Sequence, residues 1–220
     1  MEDLAYIKNA EVEDLLGEWH PLVHQLGSSE SLLSLSAATR LLRVPHVQNS
    51  VQLESFLESY KSRILIPSEL PAIMRAFRHA SRHETRELIR FDQSLSRQTL
   101  PDDLLRASHR AGQHQLKRLR PLRDHRLLQR YLRAVDDKQA QGWHTLVYGI
   151  TLSVYSLPAL QGLVFYERQT LRGFIEAAAR RLPLRQAECR QILYRLCADI
   201  PRRMNRHGID RDGAFVPFAR

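Results

Sequence analysis

Apolar residues return every three or four positions through nearly the whole chain, and no other feature limits the fold as strongly. From Ser50, placed to cap a helix, the ladder runs Leu53, Phe56, Leu57, Tyr60 and Ile64. Such spacing lays one apolar stripe along an α-helix and does not alternate across a strand. Pro67 and Pro71 bracket an expected break, around which Leu70, Ile73, Met74 and Phe77 resume the period. A further helix is predicted to begin near Leu100-Pro101-Asp102, with Leu104, Leu105, Ser108, Ala111, Gly112, Gln115 and Leu116 on one face. The small residues in that stripe let a neighbouring helix approach closely. Trp143, Leu146, Val147, Ile150 and Val154 mark the next helix, ended by Ser156-Leu157-Pro158. Leu160 to Ala178 carries the longest periodic run, and a break at Leu182-Pro183-Leu184 leads into a last helix that stops before Pro201. Only Ile64-Leu65-Ile66 has a strand-like flavour, and nine glycines are few for a protein made of hairpins. The predicted class is all-α, a single helical bundle of about eight to ten helices.

At 220 residues the chain suits one domain with a sizeable core. The first 25 residues are less committed to a structure, and the tail from Arg202 lacks helical periodicity. The expected organisation is therefore an undetermined N-terminal segment over 1–25, a helical domain over 26–201, and a flexible tail over 202–220. The tail's Phe215 and Phe218 are available to dock on a partner. No 18-residue apolar run is present, and the start, Met1-Glu2-Asp3-Leu4, is acidic where a signal peptide is basic. Cys189 and Cys197 share the last predicted helix, about 12 Å apart along its axis, too far to bridge. The expectation is a cytoplasmic protein with no membrane contact.

Charge is the less ordinary feature. Lys and Arg number 33 against 24 acids, a net +9, and only four of the basic residues are lysine. Arginine forks suit carboxylate and phosphate partners. Nine of these basic residues fall between Leu104 and Arg133, namely Arg106, Arg110, Lys117, Arg118, Arg120, Arg123, Arg126, Arg130 and Arg133, against the single acid Asp124. Tyr131 is the one aromatic there, too few for a single-strand stacking platform. No helix-turn-helix or zinc-finger spacing accompanies the charge, so a protein-facing or solvated surface is favoured over nucleic acid. No phosphate-cradling glycine loop, nucleophile elbow or zinc-protease motif occurs, so neither catalysis nor a cofactor is expected. His79, His83 and Glu87 have one-turn spacing suited to nickel or zinc on a single helix face. Arg75, Arg78, Arg82, Arg86 and Arg90 crowd the same stretch and oppose a cation, so no metal site is assigned.

Three blocks carry a resemblance to a known family. Ala177-Ala178-Ala179-Arg180-Arg181-Leu182-Pro183-Leu184-Arg185-Gln186-Ala187-Glu188-Cys189 resembles the C-terminal signature of the urease accessory protein UreF family. Leu105-Arg106-Ala107-Ser108 through Leu116, and Trp143-His144-Thr145-Leu146-Val147-Tyr148-Gly149, resemble two upstream blocks in the same order. Where that family has two glycines in its signature, this chain has Arg185 and Cys189. Its N-terminal glycine-rich block should fall near Gln25 to Leu32, where one glycine remains. The resemblance implies an all-helical, often dimeric scaffold without chemistry of its own. It further implies partners: a UreD/UreH-like accessory protein, a UreG-like GTPase and the urease apoprotein, in the assembly that inserts nickel into urease. Arg180 and Gln186 match signature positions and, with Arg106 and Arg110, are the candidate partner-binding residues. Two alternatives stand beside this reading, an arginine-rich module that binds nucleic acid and a UreF-like protein repurposed as an adaptor.

Overall fold

The computed structural model describes residues 47–96, 102–179, 182–199, 207–209 and 215–217. Eight α-helices and one π-helical stretch make up the bundle among these residues. They are α1 (Ser50–Tyr60), the π stretch (Lys61–Glu69), α2 (Leu70–Ser81), α3 (Thr85–Leu95), α4 (Asp102–Leu119), α5 (Arg126–Asp136), α6 (His144–Val154), α7 (Ala159–Ala179) and α8 (Gln186–Cys197). The all-α expectation holds. Two three-residue strands, His207–Ile209 and Phe215–Pro217, pair antiparallel near the end, with Gly208 opposite Val216.

Three local expectations are corrected. Asn49, not Ser50, caps α1, its side chain accepting from Gln52 N at 2.9 Å. Pro67 and Pro71 do not break the chain, which stays helical from Ser50 to Ser81. Pro67 lies inside the π stretch, whose longer hydrogen-bonded turn, seen in Leu70 N bonding Leu65 O, accommodates a residue without an N–H. Pro71 is the second residue of α2, directly after the π stretch in the same continuous helix, so its missing N–H falls at the wider turn as well. The strand-like Ile64-Leu65-Ile66 belongs to the same π stretch, which turns Lys61, Leu65 and Glu69 inward.

Two apolar cores form. One gathers α1, the π stretch, α7 and α8 around Phe56, Tyr60, Phe174 and Leu196. The other gathers α3, α4 and α5 around Leu88, Leu116, Leu128 and Tyr131. Helices α2 and α6 supply side chains to both cores. Every residue of α6 from His144 to Leu152 is buried, so this helix is enclosed on all sides. Close backbone approach makes that possible. A Cβ on Gly149 would stand 2.4 Å from Ile73 O of α2, and one on Gly112 of α4 would stand 1.8 Å from Gly142 O. Glycine is required at both positions because a backbone atom, not a yielding side chain, fills the space.

Ion pairs close the periphery. Buried Lys61 donates to Leu196 O at 2.7 Å and to Asp199 Oδ1 at 2.6 Å, placing a cation at the C-terminal end of α8. Arg195 of α8 forks onto Glu54 of α1 at 2.7 and 2.8 Å.

Gly149→Ala is expected to lose about 1–3 kcal/mol or more in urea unfolding, despite a helix-propensity gain of about 1 kcal/mol. Gly162→Ala meets only the end of the Leu152 side chain, which can shift, and is expected to cost clearly less. The reverse order would show that the α2–α6 contact is not backbone-limited.

Candidate functional site

A chain of buried polar side chains crosses the interior where the π stretch, α4, α6 and α7 meet. Tyr60 donates its O–H to Glu69 Oε1 at 2.9 Å, and Tyr166 donates to Glu69 Oε2 at 3.2 Å. His144 Nε2 lies 2.7 Å from the Tyr166 oxygen and stacks on its ring, while His144 Nδ1 lies 2.8 Å from Ser108 Oγ. Burial holds both phenols well above their ordinary range, so they remain donors. Tyr166 has one proton and gives it to Glu69. The two ring nitrogens of His144 thus bridge the Tyr166 and Ser108 hydroxyls, one nitrogen donating and the other accepting in the neutral ring. Burial pushes the Glu69 carboxyl up to about 7, against which the two tyrosine bonds pull. Burial also drives His144 down to about 3, so the imidazole is neutral.

This relay lines one wall of a cavity of about 110 Å³. Ile64, Ala72, Leu95, Leu105 and Trp143 form its apolar part, with Arg63, Ser68 and Thr145 on its lining as well.

A second buried carboxylate is structural. Asp92 of α3 accepts from Tyr131 O–H at 2.7 Å, Gln141 N at 2.6 Å and Gly142 N at 3.0 Å, while its carbonyl accepts from Trp143 Nε1 at 3.2 Å. It fastens the α5–α6 turn to α3. Burial raises its carboxyl, and these bonds oppose the rise.

The residues singled out in the sequence fall elsewhere. Arg106 and Arg110 are exposed on α4, opposite the buried Ala107, Ser108, Gly112 and Gln115. Gln186 is exposed at the first position of α8, and Arg180 lies outside the described residues, as does the Gln25 to Leu32 block. Since α4 packs on α6 while α8 packs on α7 and α1, the candidates belong to different parts of the bundle. All nine basic residues between Leu104 and Arg133 are exposed, and Arg120 forks onto Asp136.

The single-face spacing of His79, His83 and Glu87 is corrected. Helix α2 stops at Ser81, His83 follows at φ 57°, and Glu87 belongs to α3. His79 Nδ1 is 2.7 Å from Glu84 Oε2 instead. Among the described residues no three His, Cys, Asp or Glu side chains cluster as a metal site would need.

At the helix junction before α8, Arg185 adopts φ −74° and ψ 147°, extended backbone that makes no demand for glycine. Its N–H donates to Glu188 Oε2 at 2.8 Å, and that bond, with the Arg185 guanidinium, holds the Glu188 carboxyl below its usual range. Cys189 and Cys197 share α8 as free thiols.

Glu69 and Tyr166 were not among the sequence candidates. The available signal was an acid at helical spacing between Leu65 and Ile73, inside an otherwise apolar ladder.

A family model described as UreF matches residues 47–197. The urease accessory protein UreF of Actinobacillus pleuropneumoniae serotype 3 (strain JL03) is 22% identical over 150 residues, covering 68% of this chain and 66% of that protein. That of serotype 5b (strain L20) is 21% identical over the same shares. The chain thus matches just under two thirds of the length of these relatives.

The two buried groups give opposite pH slopes. Glu69, raised from 4.5 to about 7, adds stability fully present below pH 4.5 and lost as pH rises through 7. His144, lowered from 6.5 to about 3, adds stability present above pH 6.5 and lost as pH falls toward 3. Between pH 4.5 and 6.5 their slopes cancel. Glu69→Gln should expose the histidine slope, so its unfolding free energy relative to the parent rises by about 1.4 kcal/mol per pH unit across that window. Parallel urea-unfolding curves for parent and variant would contradict the assignment.

Proposed function

Because the chain belongs to the UreF family, we propose that it serves as a urease accessory protein, a non-enzymatic scaffold in the assembly that loads nickel into urease. The observation that carries this reading is the family match across residues 47–197, which takes in every helix among the described residues. The proposed partners are a UreD/UreH-like protein, a UreG-like GTPase and the urease apoprotein, met in the cytoplasm, with a second copy of the chain as a further option. No helix among the described residues is long and apolar enough to cross a membrane. The nucleic-acid alternative loses its one stacking residue, since Tyr131 is fully buried with its O–H on Asp92.

In this reading nickel is cargo, and the chain contributes surface. Exposed arginines on α4 and the exposed start of α8 offer bidentate donors and polar side chains without a core role to disturb. Arg106, Arg110, Arg180 and Gln186 are the proposed partner-facing residues, within a helical domain proposed to span 26–201 and followed by a docking tail over 202–220.

Co-expression with UreD/UreH-like and UreG-like proteins should yield a complex on affinity purification, and the chain should restore nickel loading of urease in a host lacking its own UreF. Failure of both would remove the accessory role. Arg110→Glu and Gln186→Ala are each expected to weaken that complex, by on the order of tenfold or more if they are hot spots, with thermal unfolding shifted by no more than a few degrees. Loss of fold stability with unchanged affinity of the folded fraction would instead make these residues structural.

A further inference from the structure

We propose that the exposed face of α5 is a docking stripe for an acidic helix of another protein, one whose carboxylates recur at intervals of three and four residues. The proposal goes beyond the accessory role: it uses neither the α4 arginines nor the start of α8, and it holds whichever protein carries the helix. Leu127, Leu128, Tyr131, Leu132 and Ala134 are the buried side of α5. Arg126, Arg130 and Arg133 are exposed at i, i+4 and i+7, which lines them up on the opposite side over about 10 Å of helix. Like charges at these spacings work against the helix that carries them, and no acid is interleaved among the three to offset it.

Elsewhere on the surface, arginines hold carboxylates. Arg90 pairs with Glu87 at 2.7 Å, Arg172 with Glu176 at 2.6 Å and Arg195 with Glu54 at 2.7 Å. Asp136, the one acid within α5, is taken by Arg120 from the turn that precedes the helix. Arg126, Arg130 and Arg133 make no ion pair among the described residues, and Asp124 and Asp137, exposed at the two ends of the stripe, hold none of them. The His83 and His125 rings, 6.2 Å apart, set the turn after α2 against the start of α5, which adds exposed Arg82 and Arg123 to that end of the face. Arginine forks take carboxylates bidentately, and an acidic helix with acids three and four apart presents them in steps of about 5–6 Å, the same steps as the arginines. A bilayer is the poorer fit, because the exposed large apolar side chains of the described residues are Val51, Leu160 and Tyr194, and none lies on α5 to insert. Nucleic acid is the poorer fit as well, because Tyr131, the one aromatic of α5, is fully buried.

Fluorescence anisotropy of the full-length protein with a labelled helical peptide bearing glutamates at i, i+3 and i+7 tests the stripe. The peptide should bind saturably. Arg130→Gln should weaken it about threefold or more, and the combined Arg126→Gln, Arg130→Gln and Arg133→Gln variant about tenfold or more. Arg172→Gln removes the same charge from α7 and should leave the affinity unchanged. A peptide of identical composition with its glutamates at i, i+2 and i+5, which scatters them around the helix, should bind several-fold more weakly. If the triple variant does not fold, Arg130→Gln against Arg172→Gln and the scattered peptide decide the matter alone. Absence of binding, or equal losses in Arg172→Gln and Arg130→Gln, would reduce the stripe to a solvated face, and equal binding of the scattered peptide would remove the helical register. Duplex DNA bound more tightly than the peptide, and weakened by the same variants, would give the face to nucleic acid. A peptide of residues 9–20 of this chain, which carries Glu11, Glu13, Asp14 and Glu18, bound more tightly than the designed one would give it to the chain's own N-terminal part. Each of these results overturns the proposal.

Discussion

The fold depends on how near one backbone can come to another around α6. A helix buried on every side must be met by partners that leave no gap, and here two of those partners arrive at glycine. Gly149 lets α2 lie against α6 with Ile73 O in the place a methyl would take. Gly112 lets α4 reach the turn that starts α6. Close approach brings Ser108 within reach of His144, and the polar relay exists because of it. The two cores are joined through the same pair of helices, so neither half of the bundle can be repacked without the other.

The buried polar groups divide into two kinds of work. Asp92 satisfies backbone N–H groups and an indole, and holds a turn in place. Glu69 satisfies no backbone group in this way; its partners are tyrosine hydroxyls that lead on to histidine and serine. A carboxylate kept in the interior without a capping or turn role is costly, and its two tyrosine donors offset part of that cost.

Much of the fold was legible because helical periodicity does not depend on long-range contacts. The small-residue stripe of α4 and the apolar ladder of α6 are visible as patterns, and their packing follows from them. What misled was local chemistry read without context. Proline is ordinarily a helix breaker, yet a π stretch absorbs Pro67, and no propensity argument anticipates a wider turn that tertiary packing stabilises. Histidines four apart suggest one helix face, but Ser81 ends the helix between them and His83 turns left-handed. The relay was hidden for a different reason. Ser108, His144 and Tyr166 are separated by 36 and 22 positions, and only the crossing of helices brings them together.

The ammonium of Lys61 ties the end of α8 to the start of the π stretch through Leu196 O and Asp199. That tie is a mechanical ground point. Chain beyond Asp199 is tethered to the bundle through a lysine set in the core, eight residues before Glu69 along the same helical segment. The tie joins a buried ammonium to a carboxylate that is more than half exposed, so displacing the chain at Asp199 would leave the Lys61 charge in the core with only the Leu196 carbonyl.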